Sequence, residues 1–171
     1  LPFHTLRPSS DEQPLIARYA VSYLPSAAAL LFHRERERYV KDIVGFGHPG
    51  RTGWDVEYEL KDIRSFYDKA KMLFDTSATI DHLRGMTYDV LHIGTEFAID
   101  TDIPDNSVMI TSDGATPDGL KNVSLGELLS LPRAQTLIFS NITQQAGGLS
   151  RYASMMFLAD GPPTVITTMW V

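Results

Sequence analysis

The residues of this chain best suited to chemistry stand at the ends of two apolar runs. The run Tyr88-Asp-Val-Leu-His-Ile-Gly-Thr-Glu96 carries a histidine and a glutamate, and Gln135-Thr-Leu-Ile-Phe-Ser-Asn-Ile-Thr143 carries a serine, an asparagine and a threonine. Histidine and glutamate are common proton carriers, and a hydroxyl becomes a nucleophile once a positioned base removes its proton. His92, Glu96, Ser140, Asn141 and Thr143 are therefore candidates for a cleft. Thiolate chemistry is excluded, because none of the 171 residues is cysteine. Glu96 is a poor base at its ordinary pKa of about 4.3, although burial raises such a group. His92 and Glu96 are an even number of residues apart, so an unbroken strand would put them on one face. His92 is read first as a packing residue hydrogen-bonded to a neighbouring loop.

Cation binding is the second chemistry to weigh. Glu96, Asp100, Asp102 and Asp105 follow the first run closely, with Asp113 further on. Carboxylates gathered at the end of a sheet can hold Ca²⁺ or Mg²⁺. Their spacing is not that of an EF-hand loop, and acidic loops are common in an acidic protein. No metal and no other cofactor is expected.

Both runs need a scaffold. Residues 89–93 and 136–139 are almost unbroken series of β-branched and large apolar residues, the pattern of strands covered on both faces in a parallel sheet. Ligands in open α/β sheets sit beyond the carboxyl ends of such strands, which is where Glu96 and Ile142/Thr143 stand. Elsewhere strands alternate with helices. Strands are predicted over 18–24, 42–46, 71–74 and 164–170, and helices over 27–39, 56–67, 79–84 and 147–158. Ser26 and Thr79 are suitable N-caps, and Gly85 follows the third helix. The segment Gly47-His-Pro-Gly-Arg-Thr-Gly53 lacks the ending of a phosphate loop and is read, His48 included, as a flexible connection. The whole is expected to be an α/β three-layer sandwich with a mostly parallel central sheet.

Composition narrows the classes. Hydrophobic residues make up 43%, enough for an ordinary globular core, and the length suits one domain spanning 1–171. The formal charge of −6 argues against a nucleic-acid partner. The longest apolar stretch, Ala27-Ala-Ala-Leu-Leu-Phe32, is too short to span a bilayer, so no membrane partner is evident. Absence of cysteine excludes disulfides and fits a cytoplasmic setting.

The two runs resemble those that carry the catalytic pair in CHAT domains, caspase-like relatives of cysteine peptidases often fused to tetratricopeptide repeats. The family's first strand reads Leu-His-Ile-Ala-Thr-His-Gly, with the second histidine as general base. Glu96 stands there in this chain. The family's second strand ends Leu-Ser-Ala-Cys or Leu-Asn-Ala-Cys, and Ile142 or Thr143 stands at the cysteine. Further similarity lies in Leu1-Pro-Phe-His-Thr-Leu6, Tyr19-Ala-Val-Ser-Tyr-Leu-Pro-Ser-Ala27, Asp113-Gly114 with Ser124-Leu-Gly-Glu127, and Thr164-Val-Ile-Thr-Thr-Met-Trp170.

The resemblance implies a caspase-like fold, and a chain that is a fragment truncated at both ends. It also places Trp170 near the cleft. With both members of the dyad replaced, the expectation is a catalytically inactive domain. Such a pseudo-peptidase would bind a protein or peptide partner, an active peptidase-like relative among them, or regulate one. A hydrolase with altered chemistry is the first alternative, using Thr143 or Ser140 with His92, or a metal at Glu96. A purely structural scaffold domain is the second.

Overall fold

Alternating apolar runs and amphipathic stretches fold here into strands on a shared sheet with helices laid across it. The computed structural model describes residues 40–50, 55–100, 103, 106–140, 142–144 and 164–167, together with 13, 14 and 17. The chain divides into two compact units, Leu1–Arg36 and Glu37–Val171, and the elements that follow belong to the second. The strand and helices read over 18–24, 27–39 and 147–158 lie outside the described residues, as do Asn141, Asp102, Asp105 and Trp170.

In chain order the elements are β1 (Ile43–Gly47), α1 (Val56–Phe66), β2 (Lys71–Phe74), α2 (Ile80–Arg84), β3 (Val90–Ile93), β4 (Phe97–Ile99), β5 (Val108–Ser112), β6 (Leu120–Ser124), α3 (Leu125–Leu129), β7 (Thr136–Phe139), β8 (Ile142–Gln144) and β9 (Thr164–Thr167). A five-stranded sheet runs β2-β1-β3-β7-β9, and every pairing in it is parallel. The α/β architecture with a mostly parallel central sheet is thus present. A second sheet, β6-β5-β4-β8, was not expected; β4 and β8 are parallel and its other pairings antiparallel.

Residue alternation along β1 assigns the two faces of the main sheet. Gly45 and Gly47 face α1, whose Val56 and Leu60 are buried there. A Cβ on Gly47 would overlap Val56 Cγ1, so the absence of a side chain is what lets α1 lie this close. Val44 and Phe46 point the other way, into a core shared with Ile80 and Leu83 of α2, Leu125 and Leu128 of α3, Leu91, Ile93, Phe97, Leu137 and Phe139. Each short helix has a sequence-encoded start. Thr79 Oγ1 accepts from His82 N at 3.3 Å, and Ser124 with Glu127 forms a reciprocal capping box. On β3 and β7, Leu91, Ile93, Leu137 and Phe139 are buried, whereas Val90, His92, Thr136 and Ile138 are half-buried. Among the described residues the α1-side face of these strands is therefore covered less completely than their apolar character suggested. No helix among the described residues is long and apolar enough to cross a membrane.

Asp89 ties the N-terminal ends of three parallel strands. Its carboxylate accepts from the backbone N–H groups of Lys41 (2.8 Å) and Asp42 (3.2 Å), which precede β1, and from Gln135 Nε2 (2.7 Å), which precedes β7. Those two backbone donors, with Gln135 adding to them, hold the Asp89 carboxyl below its ordinary value. Glu127 is lowered likewise by the backbone and hydroxyl of Ser124. A carboxyl depressed in the folded state contributes stability that is complete above its unfolded value and is lost as pH falls through the folded one. The melting temperature should be level above about pH 5 and fall below about pH 4. In Asp89→Asn the acid limb should be shallower, which thermal melts across that range will show.

Tyr88 is 6% exposed, and its hydroxyl has no hydrogen-bond partner among the described residues. Burial alone pushes the phenol up to about 12. Removing an unpaired buried hydroxyl while keeping the ring spares a desolvation cost. Tyr88→Phe should stabilise the fold by about 1 kcal/mol, a rise of about 2–4 °C in Tm for a chain of this size. A fall in Tm would mean that the hydroxyl has a partner.

Candidate functional site

The two apolar runs do not continue as single strands. β3 stops at Ile93 and β4 begins at Phe97; β7 stops at Phe139 and β8 begins at Ile142. Both runs thus pass from the large sheet into the small one, side by side and parallel. Ile93 pairs with Phe139 before the crossing, and Phe97 pairs with Ile142 after it. The first connection, Gly94-Thr95-Glu96, is one residue longer than the second, Ser140-Asn141. Register therefore sets Glu96, the residue before β4, next to the Phe97–Ile142 pair, beyond the carboxyl ends of the central parallel strands. Side chains are described for Glu96 and Ser140 but not for Ile142 or Thr143.

Because the strand breaks after Ile93, the alternation expected to align His92 with Glu96 does not carry through, and each has its own setting. His92 Nε2 donates to Glu59 Oε1 at 2.9 Å, which fixes the tautomer. Ser140 Oγ donates to Glu59 Oε2, also at 2.9 Å, with Ile93 O at 3.4 Å as a second acceptor. Glu59 extends from α1, and its carboxylate bridges the ends of β3 and β7. The His92 and Glu59 side chains are 12% and 24% exposed. Gly94 leaves the room for this, since a Cβ there would lie 2.9 Å from Glu59 Oε2.

Chemically this cluster acts as a clamp. A serine nucleophile needs its proton taken by a base, commonly an imidazole. Here the hydroxyl points to a carboxylate that also accepts from the imidazole, and His92 uses its Nε2 proton on Glu59. The geometry therefore brings Ser140 and His92 to one carboxylate, with Glu59 between them.

Glu96 is half-buried and lies against the turn after β1. Its Cβ and Oε2 come within 3.3 and 3.2 Å of where a Cβ on Gly50 would stand. Gly50 has a φ of +64°, a conformation that glycine adopts without strain. The turn is pinned by His48, whose Nδ1 accepts from Gly50 N at 3.0 Å while Nε2 donates to Pro117 O at 3.3 Å. Thr95, fully buried, sets its hydroxyl between the carbonyls of His48 (3.2 Å) and Ile110. His48 is only 2% exposed, so within the connection read over 47–53 its ring is packed into the structure, and residues 51–53 lie outside the described residues. Its anchor, Pro117, is 69 residues away in sequence, which no local pattern discloses.

The acidic residues that are described, Glu96, Asp100 and Asp113, each have their own surroundings. Asp100 receives Ile103 N (2.9 Å) and Asn106 Nδ2 (3.3 Å) within its own turn. Asp113 takes the N–H groups of Ala115 and Thr116, and these hold its carboxyl below the ordinary value. Among the described residues no three His, Asp or Glu side chains converge as a metal would require.

Glu59, His48 and Thr95 are the site residues that sequence reading passed over. Glu59 did leave a signal: it lies at i+3 from Val56 and beside Leu60, so it is a charged residue on the apolar stripe of α1.

Comparison with curated proteins and with solved structures gives no match. The CHAT domain family model matches residues 1–171. Its span covers both strand ends, the crossing between the sheets and the closing strand, and so this chain belongs to the CHAT domain family, a caspase-like group related to peptidases.

Proposed function

We propose that this domain is a pseudo-peptidase whose cleft holds a protein or peptide segment without cutting it, and so serves as a binding or regulatory module. The observation that carries this reading is the register of β4 with β8. Phe97 pairs with Ile142, so Glu96 and Ile142/Thr143, which the resemblance sets at the family's two catalytic positions, lie close in register. A carboxylate beside an isoleucine or an unactivated threonine supplies no nucleophile–base pair. An extended segment laid along such strand ends gains main-chain hydrogen bonds, and side-chain contacts give it specificity. Its partner is a peptide segment, and an active peptidase-like relative is a natural source of one.

The test is to offer the protein a broad library of extended peptides, recover what is retained, and analyse it by mass spectrometry. Retained peptides should be intact, and Glu96→Lys should weaken their retention. Cleavage products that vanish in Glu96→Ala or Thr143→Ala would overturn the reading in favour of altered hydrolysis. Failure to retain any peptide or protein partner would overturn it in favour of a scaffold role.

A further inference from the structure

We infer that His48 is a proton-operated latch on the wall of this cleft. The inference deepens the binding reading above and rests on it for its biological meaning, but its physical basis is separate. His48 is 2% exposed and holds both ring nitrogens in opposite roles. Nδ1 must be a bare acceptor to receive Gly50 N–H at 3.0 Å, and Nε2 must carry the proton it donates to Pro117 O at 3.3 Å. Only the neutral imidazole protonated at Nε2 satisfies both. The imidazolium carries protons on both nitrogens, so Nδ1–H would face Gly50 N–H, donor against donor. The Gly50 turn must then move.

That movement reaches the cleft because Glu96 is seated on Gly50. Glu96 Oε2 and Cβ come within 3.2 and 3.3 Å of where a Cβ on Gly50 would stand, so a displaced turn changes the surroundings of the side chain at the family's base position. The His48 carbonyl is held separately by Thr95 Oγ1 at 3.2 Å, so the backbone at 48 stays while the ring contact changes. Among the described residues, Asp113 in the loop between β5 and β6 is close enough to interact with His48. Asp118 follows Pro117 in the same loop, and Glu96 lies beside Gly50.

The experiment uses the whole chain without any peptide. Imidazole ¹⁵N and backbone amide spectra are recorded from about pH 8 to about pH 5.5. At the upper end Nδ1 of His48 should show the unprotonated, pyridine-type shift. As the ring takes a second proton, Gly50 and Glu96 resonances should move together with it. Exchange protection of the Gly50 amide, corrected for the intrinsic pH effect, should fall about tenfold, the loss of one hydrogen bond. In His48→Gln these changes should disappear. A His48 protonated on Nδ1 near pH 8, a Gly50 amide indifferent to pH, or the same changes in His48→Gln would each overturn the latch. The wild-type tautomer decides the matter even where the variant folds poorly. Because no peptide is present, a failure of peptide binding would count against the proposed function and leave this result standing.

Discussion

Phe139→Ala should lower stability by about 3–5 kcal/mol, the range for deleting a buried phenylalanine and leaving its cavity. Phe139 is 1% exposed and ends β7, one residue before Ser140. It stacks on Phe97, also 1% exposed, with ring centroids 5.4 Å apart and planes at 22°. Phe97 opens β4, one residue after Glu96. The stacked pair therefore spans the place where both runs cross from the large sheet to the small one. Cavity formation accounts for most of the loss, and the ring–ring contact adds about 0.5–1.5 kcal/mol. Phe139→Leu should cost far less, because it preserves most of the volume. Urea denaturation of the three proteins measures both differences. Similar losses for Ala and Leu would show that stacking geometry, and not filled volume, dominates there.

Glu59→Ala is the second large effect. It removes one carboxylate but strands two donors, His92 Nε2–H and the Ser140 hydroxyl, at a position where the His92 side chain is 12% exposed. Ser140 can turn to Ile93 O at 3.4 Å; among the bonds described here, His92 Nε2 has Glu59 alone. Hydrogen bonds to charged groups contribute about 1.5–3 kcal/mol, and a loss of about 2–3 kcal/mol is expected. Glu59→Gln keeps one acceptor oxygen and should lose roughly half as much. Chemical denaturation distinguishes these outcomes. An unchanged midpoint for Glu59→Ala would mean that α1 is held by Val56 and Leu60 alone.

Those two residues illustrate how far the sequence could be read. Helix α1, strand β2 and helix α2 were legible because each is specified locally: an apolar stripe over 56–67, a short apolar run at 71–74, a Thr79 cap. The central strands were legible from their composition. Their division into β3/β4 and β7/β8 was not, because the break at Gly94-Thr95-Glu96 comes where two sheets diverge, a tertiary cause. The small sheet escaped notice for the same reason: β6, Leu120–Ser124, is mostly exposed and carries little apolar signal. At the site, the positions at the strand ends were proposed from motif alone. The residues that set their surroundings were not, since Glu59 reaches across 33 residues to His92 and 81 to Ser140, and His48 across 69 to Pro117. Long-range hydrogen bonds leave no periodicity behind them.

The central claim is that the cleft is preserved in position and emptied of its chemistry. The most direct measurement is mass spectrometry of peptides recovered from the purified protein after prolonged incubation with an extended-peptide library. The account predicts retained peptides of unchanged mass, with retention reduced by Glu96→Lys. Shortened peptides, produced by the wild type and absent from Glu96→Ala or Thr143→Ala, would contradict it.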